Sequence, residues 1–147
     1  YGNKLSVLCV DNWSEFGGPK EAFMENIAKA KGDSCEFRFI EDDFRNIDYE
    51  KLNFDANIYL FDGPHGEQDQ YDGVRLALPV LQEEFVLIVD DWNWVSVREG
   101  TKRALSDCAL IVQSCVEIRT TSNETHPSIQ MQNSDWHNGY FLAHIKK

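Results

Sequence analysis

No apolar run in this 147-residue chain approaches the ~20 residues that a membrane-spanning helix requires, so the sequence offers no candidate transmembrane helix. The opening Tyr1-Gly2-Asn3-Lys4 has neither a basic n-region nor a following apolar h-region with a cleavage site, and does not read as a signal peptide. Nor does the chain begin with Met, and the expectation is that something upstream is missing. Basic residues are few: 14 Lys and Arg face 25 Asp and Glu, for a net charge of -11. That balance argues against a nucleic-acid backbone or an anionic membrane as the main partner, and suits a small-molecule site or a metal cation. The four cysteines, at positions 9, 35, 108 and 115, contain no CxxC pair and no His at zinc-finger spacing, which argues against a structural zinc. Cys9 and Cys35 fall inside strand-like runs and are expected as buried thiols, pointing to a reducing, cytoplasmic compartment. Internal repeats, low-complexity segments and interdomain linkers are absent, so residues 1 to 147 are expected to form a single domain with its own core.

What the sequence does contain is a series of apolar runs that end in acids. Leu5 to Val10 reads as a strand ending in Asp11, and Gly17-Gly18-Pro19 reads as a loop leading into a helix. From Lys20 to Lys31, Phe23, Ile27 and Ala30 share one face, and Gly32 stops that helix. Cys35 to Ile40 alternates in polarity and predicts a strand nearer the sheet edge, ending in Glu41-Asp42-Asp43. Arg45 to Asp55 predicts a short helical turn and loop. Ile58 to Phe61 and Phe85 to Val89 are continuous β-branched and aromatic runs, the pattern of strands buried on both faces. Between them Asp69 to Leu81 predicts a helix, with Val74, Leu78 and Leu81 at i, i+4 and i+7. Ser96 to Cys108 predicts another helix, and Leu110 to Ile118 and Tyr140 to Ile145 predict two strands joined without a helix, hence antiparallel. The order β-α-β-β-α-β-α-β-β places the chain in the α/β class.

The strand, helix and strand from Ile58 to Val89 form a βαβ unit, whose strands should be parallel neighbours. Parallel neighbours bring their carboxyl ends to one edge, where open α/β sheets bind ligands. Asp62, His65, Asp90 and Asp91 should then converge. Three carboxylates so gathered repel one another and raise their own pKa values unless a cation compensates. Mg²⁺ or a similar hard divalent ion suits such oxygen ligands. An ion there could bind a substrate hydroxyl and lower its pKa, with His65 near enough to accept the proton. Each residue also has a plainer role: Asp90 and Asp91 could cap a helix, Gly63-Pro64 is an ordinary turn signal around Asp62, and a lone His in a turn is often a surface residue. Trp92 and Trp94 could wall an acceptor pocket or simply pack in the core. His126, His137 and His144 read as structural or surface residues.

With these motifs in hand, the chain resembles the S-adenosylmethionine-dependent methyltransferases of the class I, Rossmann-like fold. Leu60-Phe61-Asp62-Gly63-Pro64-His65 and Ile88-Val89-Asp90-Asp91-Trp92 are most similar to the metal-assisted O-methyltransferase branch, of the macrocin O-methyltransferase kind. The resemblance spans nearly the whole chain in element order, and about fifteen residues carry its specific part. It implies a mostly parallel sheet with an antiparallel C-terminal strand pair, and S-adenosylmethionine as cofactor. It implies that Asp11 accepts from the cofactor ribose and that Asp43 lies near the adenine. It further implies that Asp62, Asp90 and Asp91 hold a divalent metal, Mg²⁺ or similar, and that His65 is the catalytic base. The sequence departs from the family in one respect: the glycine-rich loop, and the strand before it, have no counterpart ahead of Asp11. The resemblance therefore implies a fragment whose cofactor binding is weak or absent, with the missing strand lying between those at residues 5 to 10 and 58 to 61. Sheet edges left free would pair with a second copy, so a homodimer is expected.

The function expected on these grounds is O-methylation of a small-molecule hydroxyl with metal assistance. Two other classes share features with it. A metal-dependent phosphoesterase also clusters acids at strand ends, but would need a basic residue for the phosphate, and only Arg75 and Arg98 are close in sequence. A non-enzymatic interaction domain would keep the scaffold without the chemistry.

Overall fold

Seven residues beginning at Leu5 form β1 (Leu5–Asp11), which pairs in parallel with β2 (Cys35–Glu41) from Leu5↔Cys35 to Asp11↔Glu41. Between them runs α1 (Lys20–Ala30). The computed structural model describes residues 4–15, 17–122 and 137–147. Its contacts divide the chain into two compact units, Tyr1–Ile47 and Asp48–Lys147.

In the first unit an aromatic cluster joins helix to sheet. The Phe23 ring of α1 lies 6.1 Å from Phe37 and 5.9 Å from Phe39, and Trp13 lies 5.4 Å from Phe23. This is the Phe37/Phe39 face that alternation in β2 predicts, with Glu36 and Arg38 exposed on the other side. Cys9 and Cys35 are half-buried rather than buried, and no residue of α1 is fully buried. Desolvation still pushes the Cys9 thiol above its usual value. All four cysteines are free thiols.

Two short 3₁₀ turns come after β2, Phe44–Asn46 at the end of the first unit and Tyr49–Lys51 at the start of the second. The second unit continues through β3 (Ala56–Phe61), α2 (Glu67–Ala77), β4 (Leu81–Val89), α3 (Val95–Asp107), β5 (Ile111–Ile118) and β6 (Tyr140–Lys146). The sheet order is β3-β4-β6-β5. β3 and β4 are parallel, while β6 lies antiparallel to both β4 and β5, so among the described strands of this sheet β6 alone runs against the rest. The element order along the chain, the parallel β3–β4 pair and the antiparallel terminal pair agree with the α/β expectation. β1 and β2 form a two-stranded sheet within the first unit.

The helix predicted to reach Leu81 stops at Ala77. Pro79 has no N–H to donate and cannot continue an α-helix, so Leu78–Val80 tightens into a 3₁₀ turn and Leu81 starts β4 opposite Ala56. The helical spacing of residue 81 was coincidental. β3 and β4 are also buried on one face only. Phe61, Phe85, Leu87 and Val89 are at most 6% exposed, whereas Ile58 and Leu60 are 60% and 56% exposed. The reason is where the helices lie. Tyr59 donates its hydroxyl to Gly73 O of α2 at 2.8 Å, and a Cβ on Gly73 would lie 2.3 Å from the Phe61 ring. α2 therefore covers the Tyr59/Phe61 face, and α3 packs on α2 with Val97, Thr101, Ala104 and Leu105 buried. Each large apolar side chain so buried contributes about 1.5–3 kcal/mol. Among the described residues no helix is long and apolar enough to cross a membrane.

Candidate metal centre

The parallel register of β3 on β4 positions the acids. Phe61 is opposite Val89, and one further main-chain bond, from Asp90 N to Phe61 O at 3.2 Å, carries the pairing past the strand ends. Asp62 and Asp90 therefore leave neighbouring strands side by side, at the ~4.8 Å spacing of a sheet. Asp91 comes next with a φ of 57°, a left-handed conformation that turns its side chain back toward the pair. One carboxylate oxygen from each of Asp62, Asp90 and Asp91 lies within 4.8 Å of the others. Two oxygens on opposite sides of one hard cation, each about 2.1–2.4 Å from it, stand about 4.2–4.8 Å apart, so this donor set fits Mg²⁺ or Ca²⁺. An all-oxygen, all-anionic set selects such ions over soft metals.

Burial is graded across the cluster. Asp62 is exposed, Asp90 half-buried and Asp91 only 8% exposed. Desolvation pushes the Asp90 carboxyl above its usual value, and the charge of Asp91 adds to this. Hydrogen bonds from Asp91 N to Asp90 Oδ1 (2.7 Å) and from the Tyr140 hydroxyl to Asp90 Oδ2 (3.3 Å) pull the other way. Burial and the surrounding carboxylates raise the Tyr140 phenol in turn, which keeps it a donor.

His65 reaches the cluster directly: its Nε2 lies 2.7 Å from Asp91 Oδ2. Its ring stacks on Trp94, with centroids 6.2 Å apart and planes 18° off parallel. The turn that carries it is fastened from both helices. Gln70 Nε2 of α2 donates to Pro64 O at 2.9 Å, and Ser96 Oγ of α3 donates to His65 O at 2.6 Å. Gly63 is required beneath this turn, since a Cβ there would lie 2.5 Å from the Phe61 ring.

Trp92 does not wall a pocket. It is fully buried, stacks on Phe141 at 4.5 Å and donates Nε1 to Glu117 Oε2 at 2.8 Å, so of the two tryptophans only Trp94 faces the site. Asp11 and Asp43 lie in the first unit, where both stand at or just past the ends of adjacent parallel strands. Asp11 Oδ1 accepts from Trp13 N at 2.6 Å, and Asp43 Oδ1 accepts from Arg45 N at 2.9 Å, each holding a local turn. His137 has a φ of 21°, His144 is exposed on β6 with its Nε2 3.3 Å from Glu84, and His126 lies outside the described residues.

Three residues about the acids have no signal in the sequence strong enough to single them out. Tyr140, Asn138 and Asn93 come from the entry to β6 and from the turn after β4, and only folding brings them together. Asn138 Nδ2 donates to Asp91 Oδ1 at 2.6 Å. The one hint is Asn138-Gly139 ahead of an apolar run, which reads as a turn and not as part of a site.

No protein-family model matches the chain, and no curated protein sequence does. Solved structures are similar to it in fold. An O-methyltransferase from Bacillus cereus in complex with SAH superposes with a TM-score of 0.54 at 15% identity, covering 99% of this chain and 75% of that one. TrmN from Thermus thermophilus gives 0.52 at 14% identity, covering 99% and 44%. A Streptococcus mutans protein assigned as a SAM-dependent methyltransferase gives 0.52 at 12%, covering 99% and 45%. The chain thus spans under half the length of the latter two. At these identities the likeness is one of fold, and the fold is the Rossmann-like α/β sheet of methyltransferases.

Proposed function

We propose that this chain belongs to an S-adenosylmethionine-dependent methyltransferase of the metal-assisted O-methyltransferase branch, acting on the hydroxyl of a small molecule in the cytoplasm. The observation that carries the reading is the convergence of Asp62, Asp90 and Asp91 within 4.8 Å, with His65 Nε2 at 2.7 Å from Asp91. The fold shared with a SAH-bound O-methyltransferase is its second support. The net charge of -11 favours a small acceptor over a polyanion.

Asp62, Asp90 and Asp91 would hold the divalent ion, which supplies Lewis-acid activation of the acceptor hydroxyl. His65 takes the proton. In the tautomer that donates Nε2–H to Asp91, the lone pair that accepts the proton is on Nδ1. The carboxylate then stabilises the imidazolium that forms, as in other Asp–His pairs, and the Trp94 face restricts the ring to one plane. S-adenosylmethionine, when bound, would supply the methyl group and leave as S-adenosylhomocysteine. Asp11 and Asp43 are the proposed ribose and adenine contacts, within a single methyltransferase domain. β3, the edge strand beside which the missing strand is expected, with Ile58 and Leu60 exposed, is the proposed pairing edge of a homodimer.

The two arginines that a phosphoesterase would draw on have other partners. Arg75 donates to Asp72 at 3.1 Å, and Arg98 Nη1 donates to Trp92 O and Asn93 O at 2.8 and 2.7 Å. Titration calorimetry of the chain with MgCl₂ and MnCl₂ tests the methyltransferase reading. One bound ion, lost in Asp62→Asn, is expected; absence of ion binding by the parent chain overturns the metal-assisted mechanism.

A further inference from the structure

The geometry points to Asn138 as a positioning residue for the metal-binding carboxylates, an assignment that rests on the metal-assisted reading above. Asn138 is 6% exposed and stands just ahead of β6. Its Nδ2 donates to Asp91 Oδ1 at 2.6 Å, across 47 residues of chain. The Asp91 backbone, at a φ of 57°, is in a region that non-glycine residues hold only when the surroundings impose it.

Two sets of contacts meet here, and they do different things. The main chain is held by one set. Asn93 N donates to Asn138 O at 2.8 Å and Trp92 N donates to Gly139 O at 3.2 Å. Asn93, itself fully buried, accepts from Thr120 N at 3.0 Å and donates to Thr120 Oγ1 at 2.8 Å. These bonds stitch the turn after β4 to the stem of the β5–β6 connection, and none of them uses the Asn138 side chain. The amide of Asn138 forms the other set. It leaves the loop anchored as before and fixes the plane of one carboxylate, with Oδ1 taken by Asn138 and Oδ2 left to His65 at 2.7 Å. A neutral amide donor also offsets repulsion within the acid cluster without introducing a cation that would compete with a metal. Hydrogen-bond partners that orient metal ligands in this way are worth about 10- to 100-fold in metal affinity.

Asn138→Leu removes the donor at nearly constant volume. In Mn²⁺ titrations it should weaken binding about 10- to 100-fold, while the same change in an Asp91→Asn background should add less than about twofold, because the carboxylate it orients has gone. Asn138→Ala serves if the Leu variant does not fold, and thermal midpoints in chelator confirm that each variant retains its structure. Equal Mn²⁺ affinity in Asn138→Leu and parent, or an equal loss in both backgrounds, overturns the Asn138 assignment and leaves the metal reading standing. A parent chain that binds no Mn²⁺ overturns both.

Discussion

Replacing Gly100 by Ala tests whether the site depends on the close approach of α3 to α2. A Cβ on Gly100 would lie 2.1 Å from Glu67 O and 2.8 Å from Gln70 Cβ, and the nearer atom is backbone, which no rotamer change can move aside. Carbon and carbonyl oxygen do not normally approach closer than about 3.3 Å, so the helices must part by roughly 1 Å. Overpacking against backbone falls in the upper part of the usual range, about 2–3 kcal/mol. Ala regains up to about 1 kcal/mol of helix propensity over Gly, which leaves a net loss of about 1–2 kcal/mol. For a chain of this length that is a fall in thermal midpoint of about 3–10 °C. The site should feel it too. Gln70 holds Pro64 O and Ser96 holds His65 O, so parting α2 from α3 pulls on the turn that presents His65 from two directions. Far-UV circular dichroism melts give the stability and Mn²⁺ titration gives the site. Gly32→Ala is the control, because nothing lies within 4 Å of a Cβ there, and it should be neutral or slightly stabilising. A Gly100→Ala variant that melts at or above the parent would refute the packing argument.

The raised Asp90 carboxyl gives a pH prediction. Because its folded pKa lies above the ordinary value of 3.8, the native state binds the proton more tightly than the unfolded state. Stability from this group is therefore present at low pH and lost as pH rises from about 4 through the folded pKa. In chelator, Asp90→Asn should gain on the parent as pH climbs from 4 to 7, and added Mg²⁺ should reverse the order; chemical denaturation across that range would count against the idea if the difference stayed constant. Gly139→Ala should destabilise by about 2–4 kcal/mol, since Gly139 has a φ of 85° and a Cβ would lie 2.3 Å from Ile118 O. A urea midpoint within error of the parent would show that the turn accommodates the side chain.

The acids were legible in sequence because a βαβ unit leaves few choices. Once Ile58–Phe61 and Phe85–Val89 are parallel neighbours, the residues just past each strand must meet at one edge, and those residues are Asp62, Asp90 and Asp91. What periodicity could not supply is which side of a strand is covered. Ile58 and Leu60 are as apolar as Phe61, yet both are exposed while Phe61 is buried under Gly73. The pattern of β3 records hydrophobicity, and only the position of α2 decides which face is covered. Leu81 shows the same limit in another form, since a residue at helical spacing was taken over by the strand once Pro79 ended the helix.

Asn93, Asn138 and Tyr140 were illegible for a further reason. Each is a common polar residue beside a turn, and its role comes from a partner 27 to 50 residues away. Such a bond has no periodicity and no spacing rule. It depends on β6 entering the sheet between β4 and β5 instead of at its edge, and that insertion brings the start of the last strand beside the end of the fourth. Were β6 at the edge beyond β5, Asp90 and Asp91 would keep their places at the rim while losing the amide and phenol that now orient them. The acids locate the site; the order of the last two strands decides how rigidly it is held.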